Sequence, residues 1–187
     1  MRLVIADTSP IRYLVQIGQL DLLALLFDSI SIPTEVAEEL RDTSAPSAVQ
    51  AWINDPPTWL NVLEAKETDD PALQTLDPGE RSAIALGISL KADLILIDER
   101  KGTAVALSKG FETTGTLGIL DLAAKRGPID LRDAVDRLKR TNFRYRQELI
   151  NGLMAQVKRP VGLSHPRRFL LCFQNLLTIC PAILWFR

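Results

Sequence analysis

Leu3-Val4-Ile5-Ala6-Asp7-Thr8-Ser9-Pro10 is the stretch whose reading decides the fold. Four consecutive aliphatic residues show no polar alternation, so both faces of the segment seek burial. That is the pattern of a strand inside a parallel sheet covered on both sides. Asp7 ends the run, and Thr8-Ser9-Pro10 has the composition of a turn. A second segment follows the same plan: Leu94-Ile95-Leu96-Ile97 is wholly apolar and stops at Asp98.

Working outward, apolar residues between Ile11 and Phe27 fall at helical spacing interrupted by Gly18, which predicts two short helices. Ile30-Ser31-Ile32 reads as a short strand, and Pro33-Thr34-Glu35 as the opening of a helix with Pro in its first turn. A helix over Ala48–Ile53 and a strand over Trp59–Leu63 come next, then an acidic surface loop from Glu64 to Pro71. Asp77-Pro78-Gly79-Glu80 opens the clearest helix, with Asp77 as N-cap and Ile84, Ile88 and Leu90 along one side. After Asp98 the pattern predicts a helix over 99–109, an edge strand over 111–114 and a helix over 116–126, broken by Gly127-Pro128. Two basic amphipathic helices are expected over 130–140 and 143–157. Alternating strands and helices give an α/β class with a central parallel sheet of four to five strands.

Composition limits the chemistry. The chain has 187 residues, 47% of them hydrophobic, enough for one domain with a buried core. Cys172 and Cys180 are the only cysteines and His165 the only histidine, all in the final stretch. A disulfide framework, a thiolate or His-rich metal site and a His-based triad are thereby excluded from the main body. Net charge is −1, but it is unevenly spread: residues 1–120 carry 9 Lys/Arg against 18 Asp/Glu, and residues 121–168 carry 12 against 5. An acidic part suited to cations precedes a basic part suited to phosphates, although solvated helix faces would give the same split.

Ligands of open parallel sheets bind beyond the carboxyl ends of the strands. Asp7 and Asp98 both follow their strands directly, so parallel strands bring both carboxylates to one edge. A polar residue must end any buried strand, and Asp98-Glu99 also suits the start of the next helix. Glu80, in the first turn of a helix running antiparallel to strand 94–97, comes to the same edge. Glu35, Glu38 and Glu39 lie on the helix after the second strand, and pattern alone does not choose among them. Gathered carboxylates repel one another and raise each other's pKa unless a divalent cation neutralises them. Oxygen donors suit Mg²⁺ or Mn²⁺, which activate water and stabilise displacement at a phosphodiester. Thr8 and Ser9 are placed to orient a ligand or water, and Arg100 and Lys101 to meet a phosphate; ordinary turn chemistry explains Thr8 and Ser9 equally well.

Five stretches, taken in order, resemble the PIN-domain family and in particular its VapC-toxin-like branch. They are Val4-Ile5-Ala6-Asp7-Thr8-Ser9-Pro10, Ile32-Pro33 through Val36 to Glu39-Leu40, Gly79-Glu80 with Ala83-Ile84-Ala85-Leu86, Leu96-Ile97-Asp98-Glu99-Arg100, and Gly115-Thr116-Leu117-Gly118-Ile119-Leu120. The resemblance covers residues 3 to about 125. It implies a three-layer α/β/α fold and a Mg²⁺- or Mn²⁺-dependent endoribonuclease with the acidic cluster Asp7, Glu39, Glu80 and Asp98. Asp7, Glu80 and Asp98 would hold the metal; the Glu-Leu pair selects Glu39. The Asp-Glu-Arg run departs from the commoner family pattern of two spaced aspartates, which puts Glu99 as a further ligand in doubt. The branch further implies a toxin whose small antitoxin covers the acidic groove, with RNA as substrate and dimerisation common.

Two other readings stand beside it. One is phosphoryl transfer onto the strand-end Asp7, which usually wants a second acid two residues on; Ser9 stands there instead. The other is a PIN-like module that binds nucleic acid or protein without cleaving. A Rossmann nucleotide site is disfavoured, because Asp7-Thr8-Ser9-Pro10 offers no glycine for phosphate approach. The nuclease domain is expected over 1–158 and an atypical extension over 159–187. Phe169–Phe186 is uncharged and near the lower length limit of a membrane span, but Gln174, Asn175, Thr178 and Pro181 weigh against an anchor. A read-through or frame-shifted end would also produce such a segment. The start of the chain shows no charged leader with a long apolar run, so a cytoplasmic setting is expected.

Overall fold

β1 (Val4–Ala6) occupies the centre of a five-stranded sheet of order β3-β2-β1-β4-β5, with every pairing parallel. The computed structural model describes residues 2–66 and 68–156. The predicted alternation holds throughout: α1 (Thr8–Gln16), α2 (Leu22–Phe27), β2 (Ile30–Pro33), α3 (Thr34–Arg41), α4 (Ser47–Asn54), β3 (Leu60–Leu63), α5 (Pro78–Leu90), β4 (Leu94–Leu96), α6 (Arg100–Ser108), β5 (Glu112–Thr114), α7 (Thr116–Arg126), α8 (Leu131–Leu138) and α9 (Gln147–Gln156). A single 3-10 turn, Leu73–Thr75, precedes α5. The tail beginning near residue 159 lies outside the described residues, and among the described residues no helix is long and apolar enough to cross a membrane.

The aliphatic runs explain the centre of the sheet. Val4, Ile5, Ala6, Ile95 and Leu96 are fully buried. Removing each large aliphatic side chain from water contributes about 1.5–3 kcal/mol before ordering costs. Successive strand residues face opposite ways. Ile5, Ile95 and Ile97 join Ala83, Ile84 and Leu86 of α5 and Ala106 of α6 in one apolar cluster. The alternate residues Val4, Ala6, Leu94 and Leu96 are equally dry, so helices cover both faces in three layers.

Several local expectations are corrected. Pro33 ends β2 and precedes α3 rather than lying in its first turn. Asp77 holds the N-cap position of α5, yet its side chain makes no capping hydrogen bond. Ile84 is fully buried, whereas Ile88 is 43% exposed; Leu90 too is exposed. Their shared helical spacing is real, but the buried part of α5 ends near Gly87. α9 begins at Gln147, not 143, and its sequence QELINGLMAQ contains no Lys or Arg. The expected basic charge of that helix therefore sits in the segment before it. α7 ends as predicted, with Gly127 at φ +94° accepting the left-handed turn that closes the helix.

Candidate active site

The strand order sets the site. β1 leads to β2 and β3 on one side, whereas β4 and β5 lie on the other, so the direction of winding reverses between β1 and β4. A crevice at the carboxyl edge of such a switch point is where parallel α/β sheets bind ligands. Ala6 pairs with Leu96, and the Asp7 amide extends the ladder by donating to the Leu96 carbonyl at 2.9 Å. The Ile97 amide likewise donates to Thr114 at 2.9 Å. Asp7 and Asp98 thus leave adjacent strands at one edge, as the two apolar runs predicted.

Asp7 is only 4% exposed. Burial pushes its carboxyl up to about 7; the Thr8 and Ser9 amides at the start of α1 pull it down, and the charges of Glu80 and Glu39 push it further up. Glu80, on the first turn of α5, is also buried. Burial raises its pKa, the Asp77 amide lowers it, the charges of Asp77 and Glu99 raise it, and Lys101 lowers it. Its Oε1 is buried with no hydrogen-bond partner among the described residues. A buried carboxylate oxygen without a donor is costly unless a cation or proton compensates it. Gly102 of α6 closes over this oxygen: a Cβ there would lie 2.9 Å from Glu80 Oε1 and 2.4 Å from Ile97 Cδ1.

The other two acids are satisfied by the protein. Glu39 accepts a hydrogen bond from the Gly79 amide at 3.0 Å and another from the Thr8 hydroxyl. It caps α5 from α3, in place of the unused Asp77 side chain. Asp98 accepts from the Thr116 amide at 2.8 Å and the Thr116 hydroxyl at 2.6 Å. Burial raises its pKa and the two Thr116 hydrogen bonds oppose that rise. Asp98 therefore caps α7, and Gly115 makes the approach possible, since a Cβ there would stand 2.4 Å from Asp98 Oδ1.

The structure accordingly couples Asp7 to Glu80 and Glu39, and places Asp98 at the same edge with its oxygens turned to Thr116. Among the described residues, no three His, Cys, Asp or Glu side chains are gathered closely enough to share one ion. Asp7 and Glu80 are the pair whose oxygen chemistry and unmet burial fit a hard divalent cation. Thr8 is held by Glu39; Ser9 bears on Asp7 through its amide. Lys101 Nζ donates to the Thr75 carbonyl, and Arg100 is exposed. Thr116, wholly buried, was not singled out from sequence. Its signal was available: Gly115-Thr116 opens a helix directly after the strand beside β4.

Residues 3–159 match the family model for the PIN domain. The chain belongs to the PIN-domain family. PIN domains share a nuclease-type fold, so at a coarse level the protein falls among hydrolases of nucleic acid. The match runs past the five resembling stretches to include α8, α9 and the segment between them. No curated protein matches the chain significantly.

Proposed function

We propose that this PIN domain is a metal-dependent endoribonuclease, acting as the toxin of a toxin–antitoxin pair. The observation that carries the reading is the Asp7–Glu80 relationship. Both carboxylates are buried at the switch point, the charge of Glu80 adds to the cost of ionising Asp7, and Glu80 itself has an oxygen with no protein donor among the described residues. A Mg²⁺ or Mn²⁺ ion held by Asp7 and Glu80, with Asp98 at the same edge, relieves that cost. When bound, such an ion activates water and stabilises the charge that develops at a phosphodiester.

The chain's own residues do the rest. Burial around Asp7 keeps its carboxylate in a low-dielectric setting where its charge interactions are strong. Thr116 fixes the direction of Asp98, and Glu39 fixes the α5 start from which Glu80 projects. Arg100, exposed beside Asp98, is free of ion pairs among the described residues and suits the RNA phosphate. RNA is the substrate in this reading; a small antitoxin shields the acidic edge, and a second copy of the chain completes a homodimer.

One observation favours a second reading, a PIN-like module that binds without cleaving: Glu39 and Asp98 already spend their oxygens on helix caps. Incubating a mixed-sequence RNA with wild-type protein and Asp7→Asn, in Mn²⁺ and in chelator, separates the two. Nuclease action gives Mn²⁺-dependent fragments from wild type alone. RNA bound intact by both proteins supports the binding module, and phosphate trapped on Asp7 supports phosphoryl transfer.

A further inference from the structure

Asn142-Phe143-Arg144-Tyr145-Arg146 joins α8 to α9 without helical structure. The Phe143 amide donates to Thr141 Oγ1 at 3.1 Å, which turns the chain out of α8. Phe143 then meets Tyr13 of α1 edge-on, with ring centroids 4.8 Å apart at 83°. Tyr145 stacks on Phe143 at 6.4 Å and 16°. The three rings form a ladder leading outward from α1. Phe143 is half-buried and fills the gap beside Tyr13, whereas Tyr145 is 38% exposed at the outer end.

Arg144 and Arg146 flank that outer ring, both exposed, and neither makes an ion pair among the described residues. On the helix before, Arg137 pairs with Asp133 and Lys139 with Asp136, whereas Arg140 between them and the linker is also without an ion pair among the described residues. At its inner end the ladder stands on α1, which begins directly after Asp7 and packs against α7, whose first residue Thr116 holds Asp98. The Tyr13 phenol is pushed up by burial, lowered by Arg12, raised by the charge of Asp98 and lowered by Arg144. One side chain thus lies within the fields of both the strand-end carboxylate and the linker cation.

Packing accounts for Phe143 but not for Tyr145, which adds a solvent-facing ring above a ring already seated. Flat rings interleaved with uncompensated cations are the combination that binds unpaired nucleic acid, with bases on the rings and phosphates on the cations. An acidic protein partner would use the arginines but has no need of the ring face. We propose that Tyr145, backed by Phe143 and flanked by Arg144 and Arg146, is a stacking platform for an unpaired base of single-stranded RNA, directing the strand toward the Asp98 edge. The platform rests on the reading that RNA is what the acidic edge receives.

The test is binding of a single-stranded RNA containing 2-aminopurine to the full chain in chelator, where cleavage does not interfere. Wild type is expected to quench the fluorophore on binding. Tyr145→Ala should lose the quenching and weaken binding by roughly 5- to 100-fold, and Tyr145→Trp should keep both. Arg144→Ala should weaken binding and flatten its salt dependence while quenching at saturation persists. Unchanged quenching and affinity in a folded Tyr145→Ala protein overturns the platform, as does wild type that never quenches. A change from dimer to monomer in Tyr145→Ala with RNA affinity intact overturns it in favour of a second copy of the chain. Tyr145-dependent quenching without any Mn²⁺-dependent cleavage sinks the nuclease reading alone; cleavage without that quenching sinks the platform alone.

Discussion

Glu39 on α3 accepts the amide of Gly79, the second residue of α5, at 3.0 Å, and so closes a helix start from 40 residues away in the sequence. The first amides of any helix lack intrahelical acceptors. Here the acceptor comes from another element, and Gly79 leaves it room: a Cβ would lie 2.7 Å from Glu39 Oε1. Glu39→Ala should lower stability by about 1–2 kcal/mol in urea unfolding. Glu39→Gln keeps an acceptor for Gly79 and should unfold like wild type. If Glu39 also serves the chemistry through its charge, the Gln protein loses cleavage without losing stability. An Ala protein as stable as wild type contradicts the capping role.

Thr116 holds both oxygens of Asp98, one through its amide and one through its hydroxyl. Thr116→Val keeps the shape and removes only the hydroxyl. The expected stability loss is about 1–3 kcal/mol, because a buried acceptor loses its donor, with cleavage falling at the same time. Gly115→Ala should be worse, since its Cβ would also stand 3.1 Å from the Ile97 carbonyl, which cannot rotate away. Equal unfolding midpoints for wild type and both variants would remove Thr116 from its positioning role.

Gly102 permits α6 to close over Glu80. Gly102→Ala should reduce the melting temperature and weaken Mn²⁺ binding together, because its Cβ meets both Ile97 Cδ1 and Glu80 Oε1. Adding Ile97→Val removes the first clash and leaves the second. The double variant should recover part of the stability without recovering ion affinity, measured by calorimetry on the same samples. Recovery of both would show that the effect on Glu80 is indirect.

Asp7 makes stability depend on pH in a defined direction. Its carboxyl rises from 3.8 to about 7 in the folded protein. Between those values the folded chain holds a proton that the unfolded chain releases. The associated stability is therefore fully present below pH 4 and is lost as pH rises through 7, up to about 4 kcal/mol. Asp7→Asn cannot ionise, so in chelator its stability relative to wild type should increase from pH 4 to pH 8. Saturating Mn²⁺ should narrow that difference by stabilising wild type. A difference independent of pH would mean that Asp7 ionises freely.

The centre of this fold was legible because it depends on local pattern. Leu3–Ala6 and Leu94–Ile97 carry no polar alternation, and each stops at an aspartate, which placed Asp7 and Asp98 at one edge before any register was known. Glu80 followed from the helix–strand reversal. What depends on distant partners was not legible. The fate of the Glu39 oxygens is decided by Gly79 and Thr8, and those of Asp98 by Thr116. Helical spacing puts Ile84 and Ile88 on one side of α5, but spacing carries no information on where the covering layer ends, and Ile88 is exposed. α9 starts at Gln147 rather than 143, and Phe143 instead packs against Tyr13 of the first helix, a contact that no local pattern shows.

The proposed nuclease requires Asp7 and Glu80 to hold a divalent cation together. Titrating Mn²⁺ into wild type, Asp7→Asn and Glu80→Gln, with free ion followed by electron paramagnetic resonance, tests it most directly. Saturable binding by wild type and at least tenfold weaker binding by each folded variant is the expected result. Equal Mn²⁺ affinity in all three proteins would contradict it.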